Sequence, residues 1–254
     1  MRIGVCSDIF LDSYEEKTIN KFFTELENNQ AEFLIICGNF SYSQNTKRII
    51  DLISKKIKQT YFVMGNSDYW GSSFKEHQKN VIEYTQAKKN ITYLQNSEVI
   101  EINENTCIVG VDGWADLHQG KMVSSFSILN EWQNIGDFSN NKFFSVARDK
   151  SFQDSSILQN KLKNIDEKYT NIIVVTHYPP WSELINESEL NLLLTPFYTN
   201  KSIKNIIEDI PKDKNVHVFC GHTHEEKSVE FGNIKAHCCK ASFRKPILSK
   251  IFEI

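Results

Sequence analysis

Two histidines two residues apart follow an apolar stretch near the end of the chain, in the segment VFCGHTHEE at 218–226. His222 and His224 lie in a Gly-His-Thr-His turn, and imidazole nitrogens are common ligands of Zn, Mn and Fe ions. A lone histidine at the end of a strand is more often a hydrogen-bonded structural residue than a ligand. A metal-binding interpretation therefore depends on whether other ligands are placed to join this pair.

Polar residues follow four more apolar stretches, each of which is typical of a buried strand. These clusters are Ser7-Asp8, Gly38-Asn39, Gly65-Asn66-Ser67-Asp68 and Thr176-His177. Gly, Asn, Asp and Ser are ordinary turn residues, so any one cluster has a purely structural explanation. Five clusters at successive strand ends, with imidazole, amide and carboxylate groups among them, instead indicate a site of nitrogen and oxygen ligands that suits Zn, Mn or Fe.

The elements that must position these clusters alternate between strand and helix in the first third of the chain. Strands are predicted over 2–7, 32–38 and 60–65, and amphipathic helices over 14–28 and 46–57 lie between them. This order predicts an α/β layered fold. Ligands in such folds gather at the carboxyl ends of the strands, which is where the polar clusters lie.

The rest of the chain predicts further elements of one domain over 1–254. Short strands with Asn-rich turns predict an antiparallel run over 90–114. Residues 114–149 are less regular and are interpreted as an insertion that packs near the site. Beyond it we predict a helix over 150–169, a strand over 171–177, helices near 187–194 and over 201–209, a strand over 215–221 and three more short strands.

The composition excludes several classes of protein. The 254 residues are 40% hydrophobic and 24% charged with a net charge of −3, which disfavours a nucleic-acid-binding surface. No apolar run reaches the roughly 20 residues that span a bilayer, and Asp8 interrupts the first run too early for a signal peptide. Six cysteines without a C-x-x-C pair predict buried thiols, and we expect a cytoplasmic protein.

The ordered set of clusters resembles the calcineurin-like metallophosphoesterases, whose motifs read D-x-H, G-D, G-N-H-D, H and G-H-x-H. The segments GNSDYWG, DGWADLHQG, THYPPW and FCGHTH are similar to a bacterial branch of that superfamily. The resemblance spans residues 2 to about 240. It implies an α/β fold built as a two-sheet β-sandwich flanked by helices, and a phosphoester hydrolase site with two metal positions.

Three positions depart from the pattern and suggest a degenerate site. Phe10 stands where a metal-binding His is expected, Asn39 where the bridging Asp is expected, and Ser67 where the G-N-H-D His is expected. Phe10 cannot ligate, and Asn39 carries no charge to offset the repulsion of two dications about 3.5–4 Å apart. Ser67 lacks the imidazole that would contact phosphate and protonate the leaving oxygen, a role commonly worth a factor of roughly 10²–10⁴.

Carried over position by position, the resemblance implies one metal per chain rather than two. The first position keeps Asp8 and His224 as ligands. The second position keeps a fuller set, namely Asn66, His177 and His222, with the carbonyl oxygen of Asn39 as a further ligand. We therefore expect one divalent transition metal, Mn, Fe or Zn, at the second position. Asp8, Asp68 or His224 would then orient or deprotonate the attacking water.

Two functions are compatible with these residues. We favour a metal-dependent hydrolase of phosphomonoesters or phosphodiesters, acting on a phosphorylated small molecule or another phosphodiester. The alternative is a catalytically inactive binding or scaffold protein with the same fold and a protein partner. Exposed rings around the site would face that partner, namely Tyr69, Trp70, Trp114 and Trp181, although packing inside the protein is more common for such rings. The net charge disfavours a nuclease acting on DNA.

Overall fold

The computed structural model describes residues 1–119, 129–139, 142–186 and 189–254. The strands of these ranges are β1 (Arg2–Cys6), β2 (Phe33–Cys37), β3 (Gln59–Val63), β4 (Ile91–Tyr93), β5 (Ile100–Asn103), β6 (Thr106–Gly110), β7 (Asn171–Val175), β8 (Asn215–Cys220), β9 (Lys227–Phe231), β10 (Ile234–Cys238) and β11 (Lys250–Glu253). The helices are α1 (Glu16–Asn28), α2 (Thr46–Lys56), α3 (Phe74–Gln86), α4 (Glu131–Asn134), α5 (Phe143–Lys163), α6 (Glu189–Tyr198) and α7 (Lys201–Glu208).

The strands form two mixed sheets with different strand orders. The first sheet has the order β11-β1-β2-β3-β4, and the second has the order β5-β6-β7-β8-β10-β9. Neighbouring strands are parallel in the interior of both sheets, whereas β11, β5 and β9 pair antiparallel at the edges. Apolar side chains from both sheets share one buried cluster, including Val5, Ile35, Val63, Val175 and Phe219, so the sheets pack face to face.

Helices cover the outer face of each sheet. On α1, Ile19, Phe22, Phe23 and Leu26 recur at helical spacing and pack with residues of α2 and α3 against the first sheet. The second sheet is covered by α5 and α7, through residues such as Leu158, Ile203 and Ile207. The predicted two-sheet sandwich flanked by helices is therefore confirmed. Its parallel strands bring their carboxyl ends to one side of the molecule.

Predictions for the middle of the chain are partly wrong. Residues 90–114 do not form one antiparallel run, because β4 pairs parallel with β3, and β6 pairs antiparallel with β5 but parallel with β7. The sequence of a short strand followed by an Asn-rich turn is the same for parallel and antiparallel pairing, because the hydrophobic pattern does not identify the partner strand. Helix α5 begins inside the predicted insertion and ends at Lys163, and α3 was not predicted.

The rings expected to face a protein partner are mostly inside the protein. Tyr69 and Trp181 are fully buried, Trp114 is 5% exposed, and only Trp70 is half-buried. Trp114 lies 5.2 Å from the ring of Tyr178, centroid to centroid. Burial of large ring surfaces stabilises the fold, which is why packing prevails here. The prediction that these rings face a protein partner is therefore wrong for Tyr69, Trp114 and Trp181.

All six cysteine side chains are buried and reduced, as expected of small hydrophobic residues. Within the described ranges, no helix has both the length and the apolar character needed to cross a bilayer.

His77 on α3 should make the protein sensitive to acid. Its ring is buried near Thr46, and burial lowers the pKa of His77 to about 4. A histidine in an unfolded chain titrates near a pKa of about 6.5, so the unfolded state binds more protons between about pH 6.5 and pH 4. The free energy of unfolding should therefore fall as the pH drops through this window, by about 3 kcal/mol in all.

The variant His77→Gln should lose less stability on acidification than the wild type. Urea unfolding at about pH 7 and about pH 4.5 measures the two losses. Equal losses in both proteins would show that another group carries the acid sensitivity.

Candidate active site

Polar residues from both sheets meet where the carboxyl ends of the parallel strands converge. β1, β2 and β3 of the first sheet and β7 and β8 of the second contribute to this point. Hydrogen-bonding distances connect all the predicted metal ligands, namely Asp8, Asn39, Asn66, His177, His222 and His224. Residues separated by more than 200 positions in the chain thus form one cluster.

The backbone at this cluster is strained. Five site residues have left-handed φ angles, namely Asp8 (55°), Phe10 (37°), Asn39 (54°), His222 (72°) and His224 (62°). Such angles are uncommon for residues other than Gly, and most of all for a bulky residue. Hydrogen bonds hold two of these residues in place, from Asp8 N to Gly38 O and from Phe10 N to Asn39 O, each 3.0 Å long. Strain of this kind clusters at functional sites.

Two glycines allow the strand ends to approach each other. Gly38 has a φ of 93°, and a Cβ atom there would overlap the imidazole ring of His177. A Cβ atom on Gly221 would overlap the side chain of Ser7. Side chains at these positions would therefore push the polar residues of the site apart.

Three electron-pair donors converge at the second metal position. The distances are 2.9 Å from His177 Nε2 to Asn66 Oδ1, 3.3 Å from His222 Nδ1 to Asn66 Oδ1 and 3.3 Å from His222 Nδ1 to His177 Nε2. Ligands about 2.0–2.2 Å from a shared metal ion lie at such distances from one another. The spacing of the three atoms therefore suits one small cation.

Neighbouring groups determine which atoms of His177 and Asn66 face this point. His177 Nδ1 donates to Cys37 O over 2.7 Å, so the lone pair of this imidazole is on Nε2. Asn66 Nδ2 donates to Glu131 Oε1, so the carbonyl oxygen of Asn66 faces the imidazoles. Burial lowers the pKa of both His177 and His222, which favours the neutral form that binds metals. The Nε2 lone pair of His177 and the carbonyl oxygen of Asn66 therefore point at each other, and His222 Nδ1 lies 3.3 Å from both atoms.

Asn39 presents an amide nitrogen, not an oxygen, to the site. Its Oδ1 accepts the Ser67 N–H over 2.9 Å, and this bond determines the orientation of the amide. Nδ2 consequently lies 2.7 Å from Asp8 Oδ1, 3.1 Å from Asn66 Oδ1 and 3.2 Å from His177 Nε2. The prediction of an oxygen ligand from Asn39 is therefore wrong, because the amide turns its nitrogen, not its oxygen, toward the other ligands.

The first metal position holds a hydrogen-bonded pair, Asp8 and His224. His224 Nε2 donates to Asp8 Oδ1 over 3.2 Å, while Asp8 Oδ2 accepts the Ser7 hydroxyl over 2.7 Å and the His222 N–H over 3.0 Å. Burial opposes both charged forms, but mutual attraction lowers the pKa of Asp8 and raises that of His224. The ring of Phe10 lies 6.4 Å from that of His224, centroid to centroid. In this structure Asp8 and His224 therefore share a proton-mediated contact at the first position.

Asp68 holds two loops together. Its carboxylate accepts backbone N–H bonds of 2.7–3.0 Å from residues after β2 and β3, namely Asn39, Phe40, Ser41 and Gly65. Burial raises the pKa of Asp68 to about 8 despite these bonds. With both oxygens used by the backbone, Asp68 acts as a structural link between the loops. The geometry gives its predicted catalytic role no support.

Comparison with known proteins identifies the family. The sequence pattern of the calcineurin-like phosphoesterases matches residues 1–226. The chain belongs to this family. No curated protein sequence matches the chain significantly.

Solved structures share the fold of this calcineurin-like phosphoesterase at low sequence identity. The phosphopantetheinyl hydrolase of Mycobacterium tuberculosis has a TM-score of 0.73 and 9% identity, over 99% of this chain and 95% of that one. A dimetal phosphatase from Danio rerio has a TM-score of 0.56 and 12% identity, over 94% of this chain and 87% of that one. The Plasmodium protein GAP50 has a TM-score of 0.52 and 12% identity, over 94% of this chain and 71% of that one. Likeness at such identity shows the fold alone.

The two metal positions of this family differ in how well the residues fit a cation. In the parts of the chain that the structure describes, no three His, Cys, Asp or Glu side chains converge as a metal site. At the second position two imidazoles converge instead with an amide oxygen, and this neutral set fits one divalent ion. At the first position Asn39 turns its amide nitrogen, not an oxygen, toward Asp8, and the Phe10 ring near His224 has no atom that can bind a metal, so fewer ligand atoms are available there.

Glu131 is a site residue that the sequence did not predict. It lies on α4 within the predicted insertion, is 9% exposed and bonds the amide of Asn66. Trp114, at the start of the same segment, contacts Tyr178, whose ring lies 4.2 Å from that of His222. Residues 120–128 and 140–141 of the insertion lie outside the described ranges. In the sequence Glu131 is marked only as an acidic residue in a segment rich in aromatic residues, a pattern that does not by itself indicate a site.

Proposed function

We propose that this protein is a hydrolase of phosphomonoesters or phosphodiesters that uses one divalent cation, Mn, Fe or Zn, at the second position. The convergence of Asn66 Oδ1, His177 Nε2 and His222 Nδ1 carries the proposal, because the Asn66 oxygen and His177 Nε2 are acceptors that face each other, and a cation held between them and His222 would satisfy both. A bound divalent ion would supply Lewis acidity toward a phosphoryl oxygen. Membership of the calcineurin-like phosphoesterases supports phosphoesters as the substrate class.

The pair at the first position would hold a proton beside the substrate. The Nε2–H of His224 donates a hydrogen bond to Asp8 Oδ1. The pKa of His224 is raised, which favours the charged imidazole. A cationic imidazole attracts phosphate oxygens and orients them. Ser67 replaces the family's proton-donating histidine, so we expect turnover slower by a factor of roughly 10²–10⁴ than with that group present.

A catalytically inactive binding protein is the second candidate, and the Asn39 amide favours it. The two protons on Nδ2 lie against Asp8, Asn66 and His177, where they partly satisfy the converging acceptors without a cation. GAP50, which shares the fold, is described as the anchor in the inner membrane complex of Plasmodium. In this candidate the protein would bind a protein partner and not a substrate.

Metal content and hydrolysis measured on the same preparation decide between the two candidates. We expect about one equivalent of metal per chain after loading with Mn²⁺, and hydrolysis of bis(4-nitrophenyl) phosphate or 4-nitrophenyl phosphate that a chelator abolishes. Protein treated with the chelator and reloaded is the control. Two tightly held ions would show that the first position also binds metal. Absence of both metal and hydrolysis would favour the binding protein.

A further inference from the structure

The ligands at the second metal position bring no charge of their own. An amide oxygen and two neutral imidazoles converge there, from Asn66, His177 and His222. The resemblance to the calcineurin-like phosphoesterases implies a carboxylate at position 39, where this chain has Asn. A divalent ion in a buried neutral set is poorly compensated, because the low-dielectric interior solvates charge weakly. Negative charge must therefore come from beyond the ligands themselves.

Among the buried acids near the second position, Asp8 and Glu131 differ in how fully their oxygens are engaged. The oxygens of Asp8 accept hydrogen bonds from Ser7, Asn39, His224 and the His222 backbone. Its charge is therefore largely balanced within the first position. Glu131 instead contacts the second position directly, through a hydrogen bond from Asn66 Nδ2 to its Oε1. Burial raises the pKa of Glu131, and the hydrogen bond from Asn66 opposes that rise by favouring the carboxylate.

The contact with Glu131 also determines how Asn66 is turned. An amide has a donor and an acceptor end, and only the oxygen end can bind a cation. Because Nδ2 donates to Glu131, Oδ1 points to His177 Nε2 at 2.9 Å and His222 Nδ1 at 3.3 Å. The reverse orientation would aim amide protons at both imidazoles, and the third ligand would be lost.

We propose that Glu131 is a positioning residue for the cation of the second position, holding the Asn66 oxygen toward the imidazoles and supplying negative charge behind a neutral ligand. The inference rests on the metal binding in the proposed function. It gives the insertion a role in the site, since α4 carries Glu131 into contact with Asn66. Partners that orient and polarise metal ligands are typically worth 10- to 100-fold in affinity.

Two substitutions separate the charge of Glu131 from its hydrogen bond. Glu131→Gln keeps an oxygen that accepts from Asn66 Nδ2 but removes the charge, whereas Glu131→Ala removes both. Titration of metal-free protein with Mn²⁺ should show affinity about 10-fold weaker for the Gln variant and about 100-fold weaker for the Ala variant. Equal affinity of the Gln variant and the wild type would overturn the charge role. Equal affinity of the two variants would overturn the orienting role.

Asp137→Asn is the matched control. Asp137 lies on the same insertion, is half-buried and accepts the Phe74 N–H over 2.7 Å instead of touching a site residue. Its substitution should leave Mn²⁺ affinity within about 2-fold of the wild type. The melting temperature of each metal-free variant provides a second readout. A lower melting temperature for Glu131→Ala with unchanged Mn²⁺ affinity would mean that Glu131 only anchors the insertion, against the proposal.

Failure of this inference can be told apart from failure of the hydrolase proposal. A wild-type protein that binds Mn²⁺ but hydrolyses no phosphoester would contradict the hydrolase and leave the Glu131 result intact. A hydrolysing protein whose Glu131→Ala variant binds Mn²⁺ as tightly as the wild type would contradict the role of Glu131 and leave the hydrolase proposal intact. A wild type that binds no Mn²⁺ overturns the inference directly.

Discussion

The triple substitution Phe10→His, Asn39→Asp and Ser67→His should produce a second bound metal and raise phosphodiesterase activity by about 10²-fold or more. The first change supplies a ligand beside His224, and a histidine also suits the left-handed backbone at position 10, where φ is 37°, better than Phe does. The second replaces the amide protons that face Asp8 and His177 with an anionic bridge. The third returns a proton donor for the leaving oxygen.

Single substitutions should do much less than the triple one, because ligands of one centre act as a unit. Asn39→Asp alone places a carboxylate where Nδ2 now lies 2.7 Å from Asp8 Oδ1, so like charges repel in the metal-free protein. We expect this variant to melt at a lower temperature without metal and to recover when metal is added. The Ser67 N–H can still donate to the new side chain, which keeps the loop in place.

Metal stoichiometry and hydrolysis of bis(4-nitrophenyl) phosphate check the triple variant against the wild type. A wild type that already turns over at ordinary enzymatic rates, together with a slower triple variant, would show that the site is adapted to its present residues. The interpretation of an eroded two-metal site would then be wrong.

Removal of either imidazole at the second position should abolish metal binding. His222→Ala and His177→Ala each leave only one imidazole and the Asn66 oxygen, and two neutral donors do not hold a divalent ion against water. His237→Ala is the control, because this histidine is buried in the same sheet but bonds Ser228 over 2.8 Å, outside the site. The control should keep wild-type metal content.

Elemental analysis of the folded variants checks this prediction. His177 is fully buried, and its removal leaves a void, so circular dichroism should first establish that this variant folds. His222 is less enclosed and lies against the rings of Tyr178 and Tyr198, at 4.2 and 4.7 Å between centroids. Full metal content in both variants would place the ion elsewhere.

Much of this molecule could be predicted from local patterns in the sequence. Apolar stretches that end in Gly, Asp, Asn or His mark β1, β2, β3, β7 and β8, and the helical spacing of Ile19, Phe22 and Leu26 marks α1. These patterns report burial, which is the main physical driver of the fold. The order of the clusters along the chain also identified the residues that meet at the site, because parallel strands bring their carboxyl ends together.

The roles of individual polar atoms depended on contacts between distant parts of the chain. The Ser67 N–H turns the Asn39 amide away from its predicted role, four backbone amides engage Asp68, and α4 brings Glu131 to Asn66 from 65 residues away. The pairing of β4 with β3 was likewise decided by the assembled sheet. A hydrogen bond depends on direction and on distances of a few tenths of an ångström, so only the folded chain determines which end of an amide or carboxylate faces a site.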